Sequence, residues 1–248
     1  MRSNAPVAPQ PNRLSVVIPA FNEAKLITRC VGSVRAALAL FEHRGEVVVC
    51  DNASTDDTAA LARAAGALVV AEPKRQIARA RNRGATVAGG EWLLFLDADS
   101  LVTPALFAEL ARALDNPQCI GGGAPVGLEG RRLSGRVLSE LWNLISRVTR
   151  WAPGSFLFCR AAAFRELGGF NEELYVSEEL DLSRRLKRLG RQRGQRMIIL
   201  RRRFLTSDRK LDLYTPREAL RFAARYLRNP RRVARDPAAC PIWYDGRR

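Results

Sequence analysis

Asp97 and Asp99 stand two residues apart, directly after the apolar run Trp92-Leu93-Leu94-Phe95-Leu96. A run of that kind reads as a buried strand, which puts both carboxylates at a strand end. Carboxylate oxygens suit hard cations such as Mg²⁺ or Mn²⁺, the ions that commonly hold a nucleoside diphosphate. Carboxylates at i and i+2 can therefore serve one cation and a neighbouring ribose. Two further polar pairs follow apolar runs in the same way. Asn22 and Glu23 come after Leu14-Ser15-Val16-Val17-Ile18-Pro19, and Asp51 and Asn52 after Glu46-Val47-Val48-Val49-Cys50. A separate acidic group, Glu178, Glu179 and Asp181, opens a stretch in which Leu182, Leu186 and Leu189 recur at helical spacing. Glu178 and Glu179 lie roughly 50° to either side of that leucine stripe. Carboxylates in a first helical turn are stabilised by the helix dipole. There they either cap the helix or, where one faces a cleft, take a proton from an attacking hydroxyl.

The elements that must position these groups alternate. Strands are expected at 14–18, 46–50, 67–71 and 92–96, with helices over 24–40, from Ser54 or Thr55 as cap to Gly66 as stop, and over 77–88. Thr103 followed by Pro104 marks another helix start. Strand and helix in turn about every thirty residues imply βαβ units on a mainly parallel sheet flanked by helices, an α/β fold. Ligands of such sheets sit outside the carboxyl ends of the strands, where all three polar pairs fall. The second half is less regular. Leu133, Val137, Leu138, Leu141, Trp142, Ile145 and Val148 form a helical apolar stripe. Packing on the core is favoured for it over lying on a membrane. Strands are expected at 154–159 and 197–200, and a helix from Ser177 as cap to Gly190 as stop.

Several function classes are excluded or disfavoured. His43 is the only histidine, placed in a turn, so Ser-His-Asp hydrolysis and histidine-based metal sites are disfavoured. No GxGxxG or GxxxxGK[ST] follows the first strand, which argues against dinucleotide and P-loop sites. The five cysteines, Cys30, Cys50, Cys119, Cys159 and Cys240, have no CxxC spacing, and free thiols in a reducing cytoplasm are expected. No apolar run approaches the roughly 18 residues of a membrane span. The net charge of +16 is uneven: residues 1–183 carry 20 basic and 20 acidic side chains, and residues 184–248 carry 21 and 5. A basic end of this kind suits an anionic partner, or simply a solvated face.

Taken together, Val17-Ile18-Pro19-Ala20-Phe21-Asn22-Glu23, Val49-Cys50-Asp51-Asn52-Ala53-Ser54-Thr55-Asp56, Ala80-Arg81-Asn82-Arg83-Gly84 and Phe95-Leu96-Asp97-Ala98-Asp99 resemble the family 2 glycosyltransferases of the GT-A fold. Gly168-Gly169-Phe170 followed by Ser177-Glu178-Glu179-Leu180-Asp181-Leu182 resembles the acceptor-side motif of that family. The resemblance spans about residues 14–210. It implies an inverting transferase that uses a UDP- or GDP-sugar with Mn²⁺ or Mg²⁺ and an acceptor hydroxyl. By resemblance, Pro19, Asn22 and Glu23 line the nucleotide pocket with Asp51 and Asn52, Asp51 contacts the base, and Arg81 lies near base or phosphate. Asp97 meets the ribose or metal and Asp99 holds the metal. The family's acceptor motif usually reads Glu-Asp with the Asp as general base. Here the pair is Glu178-Glu179, which gives Glu179 that position, with Glu178 and Asp181 as the other carboxylates. A Gln-x-x-Arg-Trp motif is missing near 204–210, which favours single-sugar transfer over polymer extension, and Arg209 or Lys210 is placed to reach the diphosphate.

The expected organisation is a disordered lead-in at 1–12, a catalytic domain at 13–210 with its nucleotide-sugar half at 13–100 and acceptor half at 101–210, and a basic helical extension at 211–248. In the extension, Thr215-Pro216-Arg217-Glu218 has capping-box spacing. The basic helix after it either lies on an anionic membrane, near a lipid-linked acceptor, or packs on the domain. A cytoplasmic location is expected, peripheral to the membrane in the first case. A sugar-phosphate nucleotidyltransferase lacks its glycine-rich loop here. Nucleic-acid binding is disfavoured because few aromatics interleave the basic residues. A non-catalytic sugar binder is the remaining alternative.

Overall fold

The computed structural model describes residues 13–41, 44–130, 133–152, 154–207, 209, 213 and 215–244. The expectations for residues 1–12, His43 and Lys210 lie outside them. Seven strands form the main sheet: β1 (Leu14–Ala20), β2 (Gly45–Asp51), β3 (Leu68–Ala71), β4 (Trp92–Leu96), β6 (Cys119–Gly123), β8 (Phe156–Arg160) and β9 (Arg196–Ile199). Their order is β3-β2-β1-β4-β8-β6-β9. All neighbours run parallel except β8, which is antiparallel to both β4 and β6. The α/β expectation of a mainly parallel sheet holds.

The strands are apolar at successive positions because both faces are covered. In β4, Trp92, Leu94 and Leu96 belong to one core and Leu93 and Phe95 to the other. The first core is closed by α1 (Ile27–Ala39), α2 (Thr58–Ala64) and α4 (Pro104–Asp115). The second is closed by α3 (Ile77–Val87), α6 (Ala161–Glu166) and α7 (Glu178–Gln192). Phe95, Phe164 and Phe170 meet there with ring centroids 4.8–5.7 Å apart. A smaller sheet, ordered β5-β10-β7, joins β5 (Ser100–Leu101), β7 (Val126–Leu128) and β10 (Phe204–Thr206). None of these three short strands was visible as a periodic run.

Some local expectations hold and others need correction. Thr103 caps α4 with Pro104 behind it, and Thr215 and Glu218 form both bonds of a capping box on α8 (Pro216–Arg228). Ser54 and Thr55 do not cap α2; Asp57 occupies that position, and both residues instead bond to Asn22. Ser177 precedes α7 at φ 66° and makes no side-chain cap bond; its hydroxyl pairs with Tyr226. Gly190 does not stop α7, which runs on to Gln192. The largest correction is α5 (Leu133–Thr149): among its described side chains, from Ser139 on, the apolar stripe is turned mostly away from the core, with Trp142 half-buried. Leu141, Leu144 and Val148 are 54%, 60% and 76% exposed, while Ser139, Asn143 and Ser146 are buried.

The C-terminal extension is folded against the domain. After α8 come α9 (Pro230–Ala234), a 3₁₀ turn at Pro237–Ala239 and α10 (Pro241–Tyr244). Val233, Ala239 and Cys240 pack with Val176, Phe222, Tyr226 and Tyr244. All five cysteines are buried free thiols. No helix among the described residues is long and apolar enough to cross a membrane.

Candidate active site

The ends of β1, β2 and β4 and the start of α7 open onto one cleft of about 330 Å³. Its walls include Pro19, Glu23, Asn52, Arg81, Asp97, Asp99, Glu178 and Glu179. Sequence reasoning therefore brought most of its candidates to one place, although Asn22, Asp51, Asp181 and Arg209 are not among the lining residues.

The β1 and β2 ends are fastened to each other. Asn22 sits at φ 52°, a left-handed conformation that asparagine tolerates. Its N–H donates to Ser54 Oγ at 3.0 Å and its Oδ1 accepts from Thr55 N at 2.8 Å. Glu23 N donates to Thr58 Oγ1 at 2.8 Å. Asn52 spends its amide on the 72–76 loop: Nδ2 reaches the carbonyls of Glu72 and Lys74, and Oδ1 accepts from Gln76 N. Asp51 keeps a buried Oδ1 without a hydrogen-bond partner. A buried carboxylate oxygen left this way costs energy unless a ligand donor meets it.

Arg81 is the hub. It is 3% exposed, and α3 brings it to the strand ends because Gly84 lets that helix lie close to β1. A Cβ on Gly84 would stand 2.5 Å from Val17 Cγ1. Arg81 Nη1 donates to Glu178 Oε1 at 2.7 Å, and Nη2 donates to Asp97 Oδ1 and to the Gly154 carbonyl, both at 3.0 Å. Burial works against its charge, but Asp97, Glu178 and Glu179 outweigh burial and hold the guanidinium protonated. Asn82 fixes the opposite loop, exchanging two bonds with the Phe170 backbone. Gly169 is needed there: its φ is 74°, and a Cβ would meet Asn82 Oδ1 at 2.6 Å.

The two glutamates that adjoin in sequence have separate surroundings. Glu178 is 4% exposed and locked to Arg81. Glu179 faces the cleft against Gly154, where a Cβ would lie 3.1 Å from its carboxyl carbon. Removal from bulk water, and then the neighbouring charge of Glu178, raises the Glu179 carboxyl from 4.5 to about 8. Asp181 is paired with Arg185 at 2.8 Å, outside the cleft lining.

On the donor side, Asp99 Oδ1 accepts from Thr206 Oγ1 at 3.1 Å, across the small sheet that β10 completes. Arg209 donates to Glu23 Oε1 and stands 3.9 Å from Asp99 Oδ2. Behind this wall the Cys30 thiol is pushed far up, by burial first and then by Asp99, Asp97 and Glu23. No cluster of three or more acidic, histidine or cysteine ligands forms among the described residues. The two strand-end carboxylates of Asp97 and Asp99 nevertheless fit Mg²⁺ or Mn²⁺, since such ions draw their other ligands from water and substrate phosphate.

Sequence reasoning missed Thr206, Gly154, Trp142 and Gln76. Gln76 bonds the carbonyls of Glu172 and Leu174 and so ties the acceptor-side loop to α3. It also missed Tyr226 and Tyr244, whose hydroxyls meet Ser177 and the Ile77 N–H. Only Thr206-Ser207, a polar pair after an apolar one, carried a readable signal.

The sequence model of Glycosyl transferase family 2 matches residues 15–166. The pre-mycofactocin glycosyltransferase of Mycobacterium tuberculosis is 28% identical over 200 residues, covering 75% of this chain and 41% of that one. The S. aureus TarS structure crystallised with UDP-GlcNAc superposes with a TM-score of 0.59 at 19% identity, covering 79% of this chain and 58% of TarS. The mannosyltransferase PcManGT of Pyrobaculum calidifontis, in complex with GDP-Man and Mn²⁺, has a TM-score of 0.59 at 23% identity and covers 98% and 71%. The chain spans less than two thirds of the length of the curated relatives it first matches. The structural likeness shows a shared GT-A fold, and the match over residues 15–166 shows that this chain belongs to glycosyltransferase family 2.

Proposed function

We propose that the chain transfers one sugar from a nucleoside-diphosphate sugar to an acceptor hydroxyl, with inversion at the anomeric carbon and Glu179 as general base. The observation that carries this reading is the pairing of walls. A carboxyl raised to about 8 faces the same cleft as the strand-end pair Asp97 and Asp99. A general base works best when its pKa lies near the operating pH, which singles out Glu179 over the buried, ion-paired Glu178.

In the proposed step the acceptor oxygen attacks the anomeric carbon as its proton passes to Glu179. The new glycosidic bond forms on the face opposite the departing phosphate, and the diphosphate leaves with the electron pair. A divalent cation, Mn²⁺ or Mg²⁺, would neutralise charge on that diphosphate, with Asp99 and Asp97 as its protein ligands. On this reading Arg209 follows the diphosphate, which its position 3.9 Å from Asp99 Oδ2 supports. In the same reading Asp51 contacts the base, in a nucleotide pocket shaped by Pro19, Asn22, Glu23 and Asn52; its buried, unpartnered Oδ1 next to the cleft supports that role. Arg81 orients Asp97 and Glu178 from within. The solved relatives bind UDP-GlcNAc or GDP-Man, which supports a UDP- or GDP-sugar as donor here. The catalytic body is residues 13–210, with 13–100 as the donor half, 101–210 as the acceptor half and 211–248 closing the acceptor end. We read the exposed cations of the extension as facing an anionic membrane, on the cytoplasmic side.

The test is a thermal-shift screen of UDP, GDP and their sugars with Mn²⁺, followed by donor hydrolysis. A ligand that binds only the native state raises apparent stability by RT ln(1 + [L]/Kd). Stabilisation that needs Mn²⁺, and sugar release lost in Glu179→Gln, is expected. Absence of stabilisation by any of these ligands would refute the reading.

A further inference from the structure

Helix α5 is built inside out. On a wheel of 100° per residue, Leu141, Leu144, Ile145 and Val148 share an arc of roughly 100°. That arc faces outward, with exposures of 54%, 60%, 37% and 76%. The opposite arc carries Ser139, Asn143 and Ser146, at 8%, 3% and 1%. The inward polar groups are accommodated rather than stranded. Asn143 Oδ1 accepts from Val126 N at 2.8 Å and its Nδ2 donates to Val126 O at 2.9 Å, so the side chain pairs with β7 as another strand would. Ser146 Oγ donates to the Trp151 carbonyl at 2.6 Å. A sequence that pairs its polar face inward and keeps its apolar face in water needs something to cover the apolar face.

The surroundings of that face indicate what covers it. At its C-terminal end, Val148 shares a shallow hollow of about 290 Å³ with Arg150, Lys187, Arg191 and Arg196. None of these four cations has an ion pair among the described residues, and no acidic residue lines the hollow. Lys187 is lowered by burial first and then by Arg191 and Arg150, so the like charges are crowded. Exposed apolar side chains edged by unpaired cations match the interface of an anionic bilayer, where acyl chains meet phosphate. The other flank of α5 bears Trp142, which lines the active-site cleft.

We propose that the outward face of α5, with the basic hollow beside Val148, docks on an anionic lipid surface. The cleft mouth is thereby brought to that surface, and the acceptor hydroxyl belongs to a lipid-anchored molecule. The docking rests on the membrane contact proposed above and assigns its apolar half to α5 instead of the C-terminal extension. The acceptor class rests on the transferase reading.

Co-sedimentation tests it, with the full chain and vesicles of phosphatidylcholine with or without phosphatidylglycerol. The wild type should pellet with phosphatidylglycerol vesicles and not with phosphatidylcholine alone. The triple variant Leu141→Ser/Leu144→Ser/Val148→Ser changes only exposed positions and should weaken partitioning roughly tenfold or more. Arg150→Glu/Arg191→Glu should weaken it and flatten its salt dependence. Unchanged binding of the triple variant overturns the proposal. So does binding lost only when Arg217, Arg221, Arg225 and Arg228 are replaced by serine, which would leave membrane contact intact but move it to the extension. A wild type that binds no vesicle at low salt refutes both. If light scattering finds a dimer that the triple variant makes monomeric, a second copy covers α5 and the lipid assignment falls. Nucleotide-sugar thermal shifts of the triple variant report the active site separately, so failure of the transferase reading shows there and not in the vesicle data.

Discussion

Replacing Glu179 with glutamine should raise stability while abolishing turnover, and the size of the gain is set by pH. The carboxyl stands at about 8 in the folded chain and at 4.5 ordinarily. Below 4.5 both states hold the proton and the group contributes nothing. Between 4.5 and 8 the unfolded chain has released a proton that the folded chain keeps, so stability falls as pH rises, by about 1.4 kcal/mol per pH unit. Above 8 the loss levels off. At pH 7 the accumulated cost is on the order of a few kcal/mol. Glutamine cannot ionise in either state and fills the same space beside Gly154, so it should recover part of this, about 1–3 kcal/mol once lost hydrogen bonds are set against it. For a chain of this size that is roughly 2–10 °C in Tm. Thermal unfolding of both proteins at pH 5 and pH 8.5 reads the effect, with a small difference at the first and a larger one at the second. Hydrolysis of the donor, with water as acceptor, should fall about 10²–10⁴-fold in the variant. In the wild type, kcat/KM should climb with pH towards a plateau with a midpoint near 8. Equal Tm values at both pH values, or a variant that turns over normally, would refute the assignment.

Four further outcomes are expected. Asp99→Asn should remove the Mn²⁺ dependence of nucleotide-sugar binding in calorimetry with the fold intact; equal affinity with EDTA would count against the metal role. Thr206→Val deletes the hydroxyl that orients Asp99 at 3.1 Å and should cost roughly tenfold in Mn²⁺ affinity, read by titration in the presence of UDP. Arg81→Met leaves Glu178 buried without its cation and should destabilise by about 3–5 kcal/mol in urea unfolding, a loss that Glu178→Leu in the same chain should partly restore. Gly84→Ala forces a methyl group to within 2.5 Å of Val17 and should cost about 1–3 kcal/mol, with a lower Tm as the readout.

The segment from β1 to β4 was the legible part. The central strands β1, β2 and β4 are largely buried on both faces and so read as mostly apolar runs, and each is followed by the polar pair that reaches the cleft or braces it. The acceptor half was harder because its elements break the periodic rules. β6 is Cys-Ile-Gly-Gly-Gly, with glycines that the neighbouring backbone of β8 and β9 crowds; a Cβ on Gly122 would come within van der Waals overlap of the Ile198 carbonyl. β5, β7 and β10 are two or three residues long, too short for any period to show. The stripe on α5 is a helix as its period implies, but Leu141, Ile145 and Val148 face outward, because periodicity gives the width of an apolar arc and not its direction. Asn143 was the available clue, an amide placed where the helix meets β7.

The pair Glu178-Glu179 shows most clearly what folding adds to sequence. As neighbours in a first helical turn the two carboxylates look equivalent, and the helix dipole favours ionisation of both. Packing separates them through one cation. Arg81 comes from α3, nearly a hundred positions earlier, and reaches Glu178 and Asp97 with its two terminal nitrogens. Glu178 is thereby committed to a salt bridge that would leave a buried charge if opened. Glu179, pointing 100° further around the helix, feels the same arginine without a hydrogen bond to it; removal from water and the repulsion of Glu178 outweigh that attraction, and its proton affinity rises. On the proposed reading, adjacent carboxylates in unlike environments let one short segment supply both a fixed anchor and a proton acceptor. The same arginine that stabilises Glu178 also holds Asp97, so the β4 end and the start of α7 are tied together by a single buried guanidinium. A small displacement of α3 would change donor orientation and base position together.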